Sequence, residues 1–481
     1  MTKFLLFRKR NILQLFSLVF FSLFSVASTP AAQANTPQTK TFTVQEAVNY
    51  ALANYPAVRA ALERYHAAKA SVGLAATNYL PRLDAVWQGD RGTRNSVLGV
   101  LLPQSPNILT GTQGTVLPPS DRAFWVSGAG VLLSWEPFDF GYRRSQVRSA
   151  QSTARRTAAE VTLTRLGVAT AVTDASLAVL ADEQRVKASQ ADVDRRTVFA
   201  RSVHALVDAH LRPGADASRA DAELAAAKTQ LILAQENLQV ASAALAEVLG
   251  IAGAHVEIKP GPFLQIPPEN IWHETSVANH PQALVEQRRI EEVQSRINVL
   301  NHSYYPHFTL EGLTSARGSG EDSKGFVAPG LNGLGADVHN WEAGLTVSLP
   351  LLDFISIHER RRIELANRRR EQALYEQTIQ NLSGQLERAK ATIEGARRVA
   401  QNTPIELQAS RDSEAQARAR FQAGVGTIVD VAEAQRLLVQ AEIDDSLARL
   451  SIWRALADLA AAEGDIRPFL DLANSLATGA P

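Results

Sequence analysis

The amino-acid sequence predicts an α+β membrane protein in which one unit, two β-strands followed by a long helical hairpin, occurs twice. Three observations carry this prediction. Short motifs recur at a constant spacing, paired segments alternate apolar with small or polar residues, and Tyr142 to Ala209 runs without proline and with only Gly167 as glycine.

The N-terminus has the form of a signal peptide over residues 1–34. Lys3, Arg8, Lys9 and Arg10 precede an apolar run from Ile12 to Val26, and "AAQA" (Ala31 to Ala34) offers small residues for cleavage after Ala34. That run is shorter than the ~20 residues a spanning helix needs. The chain has 49 basic and 49 acidic residues, so removing four basic ones leaves 45 against 49, a net charge of −4. This gives no electrostatic footprint for nucleic acid. The absence of cysteine excludes disulfides, thiolate metal sites and a lipidated N-terminal cysteine, so a lipoprotein is not expected. No later segment reads as a transmembrane helix, and a membrane role falls to the strands.

The duplication sets the domain plan. "ANYP" at Ala53 returns as "ANHP" at Ala278 and "YLP" at Tyr79 as "YYP" at Tyr304, both 225 residues on. Gly130 matches Gly344, "FDFG" at Phe138 matches "LDFI" at Leu352, and Gly250 matches Gly464, all at 214. The second copy is thus 11 residues shorter between Pro306 and Gly344, which places a surface loop there. The expected boundaries are 35–250 for the first repeat, 251–272 for a linker, 273–464 for the second repeat and 465–481 for a tail.

Each repeat reads as helix, strand, loop, strand, long helix, return helix. Trp125, Ser127, Ala129, Val131, Leu133 and Trp135 share one strand face, opposite Val126, Gly128, Gly130, Leu132 and Ser134. In the second copy Trp341, Ala343, Leu345, Val347 and Leu349 oppose Glu342, Gly344, Thr346 and Ser348. Leu83, Ala85 and Trp87, and Phe308 and Leu310, begin the partner strands. Ten steps of ~3.3 Å at a tilt near 40° rise about 25 Å, the height of the apolar band of an outer-membrane barrel. Trp87, Trp125, Trp135 and Trp341 would then form a lipid-facing aromatic girdle. The segments between strands are long and rich in Gly, Pro, Ser and Asn, as loops on the outer side of such a barrel are.

The return helix of the first copy carries a seam of Leu224, Ala227, Leu231, Ala234, Leu238, Ala241, Leu245 and Val248. Its second-copy equivalent is Leu438, Ala441, Asp445, Ala448, Ile452, Ala455, Leu459 and Ala462. Alternating alanine lets helices approach closely, as in coiled coils. Pro404 predicts a kink or break in the second long helix.

Enzyme signatures are absent. "GLNGLG" (Gly330 to Gly335) precedes a strand instead of opening a helix, and neither a Walker A run nor a G-x-S-x-G elbow occurs. His302 and His307 lack a third ligand nearby, and the basic run Glu359 to Glu371 reads as a solvated, ion-paired helix face. No enzyme, cofactor or metal is expected.

With this architecture in place, the chain resembles the TolC family of outer-membrane efflux channels from about Phe42 to Gly464. The most specific part is "FQAGVGTIVDVAEAQ" (Phe421 to Gln435), which is similar to the family's periplasmic-tip motif. The resemblance implies a homotrimer. Four strands per chain would join in one transmembrane β-barrel in the outer membrane, continued by a periplasmic α-helical coiled-coil barrel. It implies an exit duct for tripartite efflux or type I secretion, partnered by a periplasmic adaptor and an inner-membrane pump of RND, ABC or MFS type. Asp430 and Glu433 match the acidic ring of the periplasmic entrance, although acidic residues at a helix start also serve the macrodipole. Gly424, Val425, Gly426 and Thr427, with Pro213 and Gly214 in the first-copy turn, match the tip that meets the adaptor. Two departures stand out. His210 and Arg219 replace Gly424 and Glu433 in the first copy, and Gly426 stands where closed family channels often carry a basic latch residue. The alternative is a periplasmic coiled-coil adaptor or tether, which would lack the four alternating strands.

Overall fold

The computed structural model describes residues 40–93, 122–268, 276–322, 326–349 and 351–478. The expected signal peptide and most of the first inter-strand loop lie outside them. Strand β1 (Lys40–Phe42) leads into α1 (Val44–Asn54), opened by a capping box in which Thr43 and Glu46 each bond the other's backbone N–H. Tyr55 is extended, as a residue before proline must be, and Pro56 starts α2 (Pro56–Thr77). Strands β2 (Arg82–Thr93) and β3 (Ala123–Phe138) follow, then α3 (Tyr142–Asp208) and its return helix α4 (Gly214–Val248). Strand β4 (Val256–Ile258) pairs in parallel with β1. The second copy comprises α5 (Pro281–His302), β5 (His307–Ser319), β6 (Val338–Ser348), α6 (Asp353–Gln422) and α7 (Ile428–Glu463), and α8 (Arg467–Thr478) ends the described chain.

The repeat is kept residue by residue. α2 and α5 each span 22 residues and begin at Pro56 and Pro281, and α3 and α6 end at positions related by the later offset. At 1.5 Å per residue, the 67 residues of α3 and 70 of α6 extend about 100 Å. α6 runs through Pro404 as one helix, so of the kink or break expected there the break does not occur.

The four long strands form one antiparallel sheet in the order β2-β3-β5-β6. Register fixes its faces. Leu83, Leu133, Gly312 and Ala343 lie in one row and Ala85, Val131, Thr314 and Trp341 in the next, whereas Asp84, Leu132, Leu313 and Glu342 lie in a row on the other side. The phase expected from alternation therefore holds in all four strands. Beneath the sheet α2 packs on α3, α3 on α5 and α5 on α6, which repeats the order of the strands. Farther down, α4 pairs with α3 and α7 with α6, while α3 and α7 join the two hairpins.

Both heptad seams are turned inward. Every second-copy seam residue is buried, and Asp445 is satisfied there by the Thr403 hydroxyl at 3.3 Å and Arg449 at 2.7 Å. Buried and half-buried ion pairs add to the joint. Arg196 bonds Asp192 at 2.8 Å and Glu223 at 2.9 Å, and Arg195 bonds Glu442 at 2.8 Å, so α3 is tied to α4 and α7.

The hydrophobic core lies midway along the long helices, where α1, β4 and α8 pack onto α3, α4, α6 and α7. One window of α3 is apolar enough by composition to cross a membrane, contrary to the sequence expectation. Its residues Val168, Val172, Leu177 and Leu180 are buried in this core. The expected linker contributes Phe263 and the expected tail contributes Phe469, which with Trp453 form an aromatic trio at 5.0–6.2 Å. Trp453 donates its indole N–H to the Gln265 carbonyl. Residues 467–478 are thus a structural helix and not a loose tail. Phe469 is fully buried and Leu476 is 39% exposed. Phe469→Ala is expected to cost about 3–5 kcal/mol and lower the thermal midpoint in detergent, with little change for Leu476→Ala.

Candidate functional site

The candidate site is the far end of the two hairpins, where the α6–α7 and α3–α4 turns meet. Each long helix stops in the same way: an amide just beyond the last turn bonds back five positions, Val425 to Arg420 and Leu211 to Leu206. This closure needs a left-handed residue. Gly424 supplies it with φ +81°, and His210, the residue at its first-copy equivalent, adopts φ +60°. The substitution seen in the sequence therefore changes chemistry and not backbone shape.

Gly426 stands where a Cβ would be crowded. A Cβ there would lie 3.0 Å from the Phe421 amide nitrogen and 3.1 Å from the Arg420 carbonyl carbon. The basic group of the tip comes instead from Arg212, which the 214-residue offset places opposite Gly426. Its Nη2 donates to the carbonyls of Phe421 at 2.8 Å and Gly426 at 3.3 Å, and its guanidinium lies 4.3 Å above the Phe421 ring. Phe421 is buried edge-on against Phe199. One arginine thus fastens the first-copy turn to the second. The sequence reasoning missed it, although aligning the two turns would have exposed the exchange.

Thr427 caps α7. Its hydroxyl accepts from the Asp430 N–H, while the Asp430 carboxylate accepts from the Thr427 N–H at 3.0 Å and hydroxyl at 2.8 Å. These bonds, the amide first, hold the Asp430 carboxyl below the usual aspartate range. Glu433, one turn on, forms a two-point pair with Arg436 at 2.6 and 3.0 Å, which lowers its carboxyl as well. Both side chains are exposed on the same side of α7, away from the chain's own packing, and both are ionised at neutral pH. Asp430 therefore does cap its helix, yet the carboxylate keeps its charge. Val425 and Leu211, 72% and 69% exposed, protrude from the adjacent turns beside Pro213 and Gly214.

At the opposite end, Trp87, Trp135 and Trp341 are exposed on the apolar sheet face, with Trp135 donating to the Tyr79 carbonyl. Trp125 is half-buried on that face, and Arg91 lies 5.8 Å from its ring. A second aromatic group, not anticipated, marks the strand–helix junction: Phe138, Phe140, Tyr305 and Phe308 stack within 4.6–6.3 Å. The motifs "FDF" and "SYYPHF" were its signal. His302 donates to the Asn298 carbonyl and His307 packs edge-on against Tyr142, each in its own contact. Among the described residues no group of His, Asp and Glu side chains is placed to hold a metal ion.

Comparison with known proteins follows from this geometry. The family model for "Outer membrane efflux protein" matches residues 47–251 and 272–465. The chain is 24% identical over 417 residues to the pyoverdine export outer membrane protein OpmQ of Pseudomonas aeruginosa, covering 85% of this chain and 82% of that one. It is 27% identical over 431 residues to protein CyaE of Bordetella pertussis, covering 87% and 83%. The outer membrane protein VceC of Vibrio cholerae shares the fold at a TM-score of 0.69 and 17% identity, covering 88% of this chain and 96% of that one.

Removing the Arg212 guanidinium leaves the Phe421 and Gly426 carbonyls to water. In Arg212→Ala, amide hydrogen exchange over residues 420–427 is expected to quicken roughly fivefold, the effect of about 1 kcal/mol for a half-exposed charged hydrogen bond. Exchange in α8 should not change.

Proposed function

The chain belongs to the outer membrane efflux protein family and is an outer-membrane exit duct that reaches into the periplasm, and on this premise we propose how it is assembled and gated. Three copies join edge to edge, β6 of one against β2 of the next, into one barrel. The helices below continue it as a tube, which receives cargo from an inner-membrane pump through a periplasmic adaptor. The observation that carries this reading is the four-stranded sheet, apolar on one face and polar on the other, with the outer edges of β2 and β6 unpaired among the described residues. Hydrocarbon supplies no partners for such edges, and closure with further copies satisfies them. An adaptor or tether would have no use for such a sheet.

The polar rows, with Asp84, Gln88, Glu311 and Glu342, then line water, and the apolar rows with Trp87, Trp135 and Trp341 meet lipid. At the tip, Gly424 to Thr427 with Pro213 and Gly214 form the adaptor-facing surface, fixed as one plate by Arg212. Asp430 and Glu433, each repeated three times, ring the entrance. Because Arg436 neutralises Glu433, Asp430 supplies most of the field. A relative named for pyoverdine export agrees with an outward direction of transport.

Purified in detergent, the protein is expected to run as a trimer, and a monodisperse folded monomer would overturn the assembly. Val131→Arg places a charge in the lipid band at roughly 2–4 kcal/mol per chain and should deplete the trimer. Thr346→Arg, on the polar face, should leave assembly intact and alter conductance. In planar bilayers, Asp430→Ala should lower cation preference and block by multivalent cations, with Glu433→Ala a smaller effect and Asp216→Ala none. Equal selectivity in all three would return Asp430 to helix capping alone.

A further inference from the structure

We propose that the outer side of the helical layer, just below the apolar band, carries a basic collar of Arg144, Arg148 and Arg361 that binds the phosphates of anionic phospholipids in the periplasmic leaflet. The proposal rests on the outer-membrane placement and adds to it a headgroup preference.

The side is fixed by continuity. Ser134 and Glu136 of the polar sheet face line one groove with Tyr142 and Gln146, so that side of α3 continues the polar face. Arg144 stands two residues beyond Tyr142, about 200° around the helix, and therefore on the other side. Arg148 lies on this outer side too, lining a separate groove with Gln151, Asn298 and Arg368. Arg361 bonds Asn301 of α5 at 3.0 Å, one turn from Asn298, and shares its helix face with Arg368 seven residues on.

Depth selects the three arginines. At 1.5 Å per residue Arg144 lies about 3 Å and Arg148 about 9 Å below the start of α3, and Arg361 about 12 Å below the start of α6. The headgroup layer is roughly 5–7 Å thick. Both helices begin at the membrane, so their side chains tilt back toward it, and an extended arginine spans about 6 Å of bonded atoms. Arg155 and Arg368, about 20 Å down, lie too deep.

The charges are available. The guanidinium groups of Arg144 and Arg148 have no hydrogen-bond or ion-pair partner among the described residues, and that of Arg361 bonds only a neutral amide. The acids nearby are engaged or face the other way. Asp139 is held by Arg143 and Glu359 by Arg362, while Asp353 lines a groove with Tyr142 and Ser348 on the polar side. Directly above lies the aromatic group of Phe138, Phe140, Tyr305 and Phe308, placed as an interfacial anchor. Aromatic ring above and basic ring below is the arrangement that holds an anionic lipid by both its ends.

The test is native mass spectrometry of the detergent-solubilised protein titrated with phosphatidylglycerol or phosphatidylcholine, for the natural chain, the triple variant R144Q/R148Q/R361Q and the distant control Lys228→Gln. Each basic group near an anionic surface multiplies affinity about fivefold. The natural chain and Lys228→Gln are expected to prefer phosphatidylglycerol, and the triple variant to lose at least about tenfold of that preference while keeping its phosphatidylcholine adducts and its conductance. Equal preference in the triple variant, or displacement of phosphatidylglycerol by millimolar inorganic phosphate, overturns the collar as a lipid site. Absence of adducts with either lipid would instead overturn the membrane placement.

Discussion

Hydrocarbon cannot hydrogen-bond a peptide group, and the rest of this molecule is arranged around that constraint. A chain that contributes four strands leaves the outward N–H and C=O groups of β2 and β6 unpaired. The pairing of β3 with β5 already joins the two repeats through the middle of the sheet. The proposed closure by further copies would use the same bonding at the rims. The helices obey the order set above them, α2, α3, α5 and α6 lying beneath β2, β3, β5 and β6. A helical layer continuing from this sheet must keep its sequence of neighbours, because short junctions such as Asp139 to Gly141 leave no length for crossing over.

A wall one helix thick buries little. The chain answers with alanine-rich seams that bring paired helices close, and with ion pairs such as Arg156 with Glu292 and Arg195 with Glu442 that bridge helices distant in sequence. Its one sizeable core sits halfway down, where both ends of the described chain return. β1 pairs with β4 there, and α8 covers Trp453 and Phe263. Fastening the middle leaves one end to the membrane and the other to the paired turns of the tip.

At the tip the two repeats reach one geometry by different residues. His210 takes the left-handed position that Gly424 takes in the other copy, a conformation with a small steric cost for a residue with a Cβ. Arg212 and Gly426 are complementary, since the arginine donates to the Gly426 carbonyl and the close Arg420–Phe421 backbone favours a residue without a Cβ at 426. Divergence after duplication has thus produced an asymmetric clasp from two equivalent turns.

The sequence by itself determined the duplication, the strand phase, the coiled-coil seams and the acidic tip, because each is written as a period or a spacing that local geometry translates directly. Leu133 and Trp135 face one way for the same reason that Leu438 and Ala441 do: a strand repeats every two residues and a helix every three or four. Family resemblance supplied the expectation of an oligomer and of an entrance role for Asp430. Only the tertiary structure decided what depends on residues far apart in the chain: that Arg212 holds Phe421, that residues 467–478 belong to the core, that the apolar centre of α3 is buried by α1 and α7, and that α6 passes through Pro404. None of these has a local signature. An arginine before a proline, an apolar window or a short terminal segment acquires its meaning from the partner the fold brings to it.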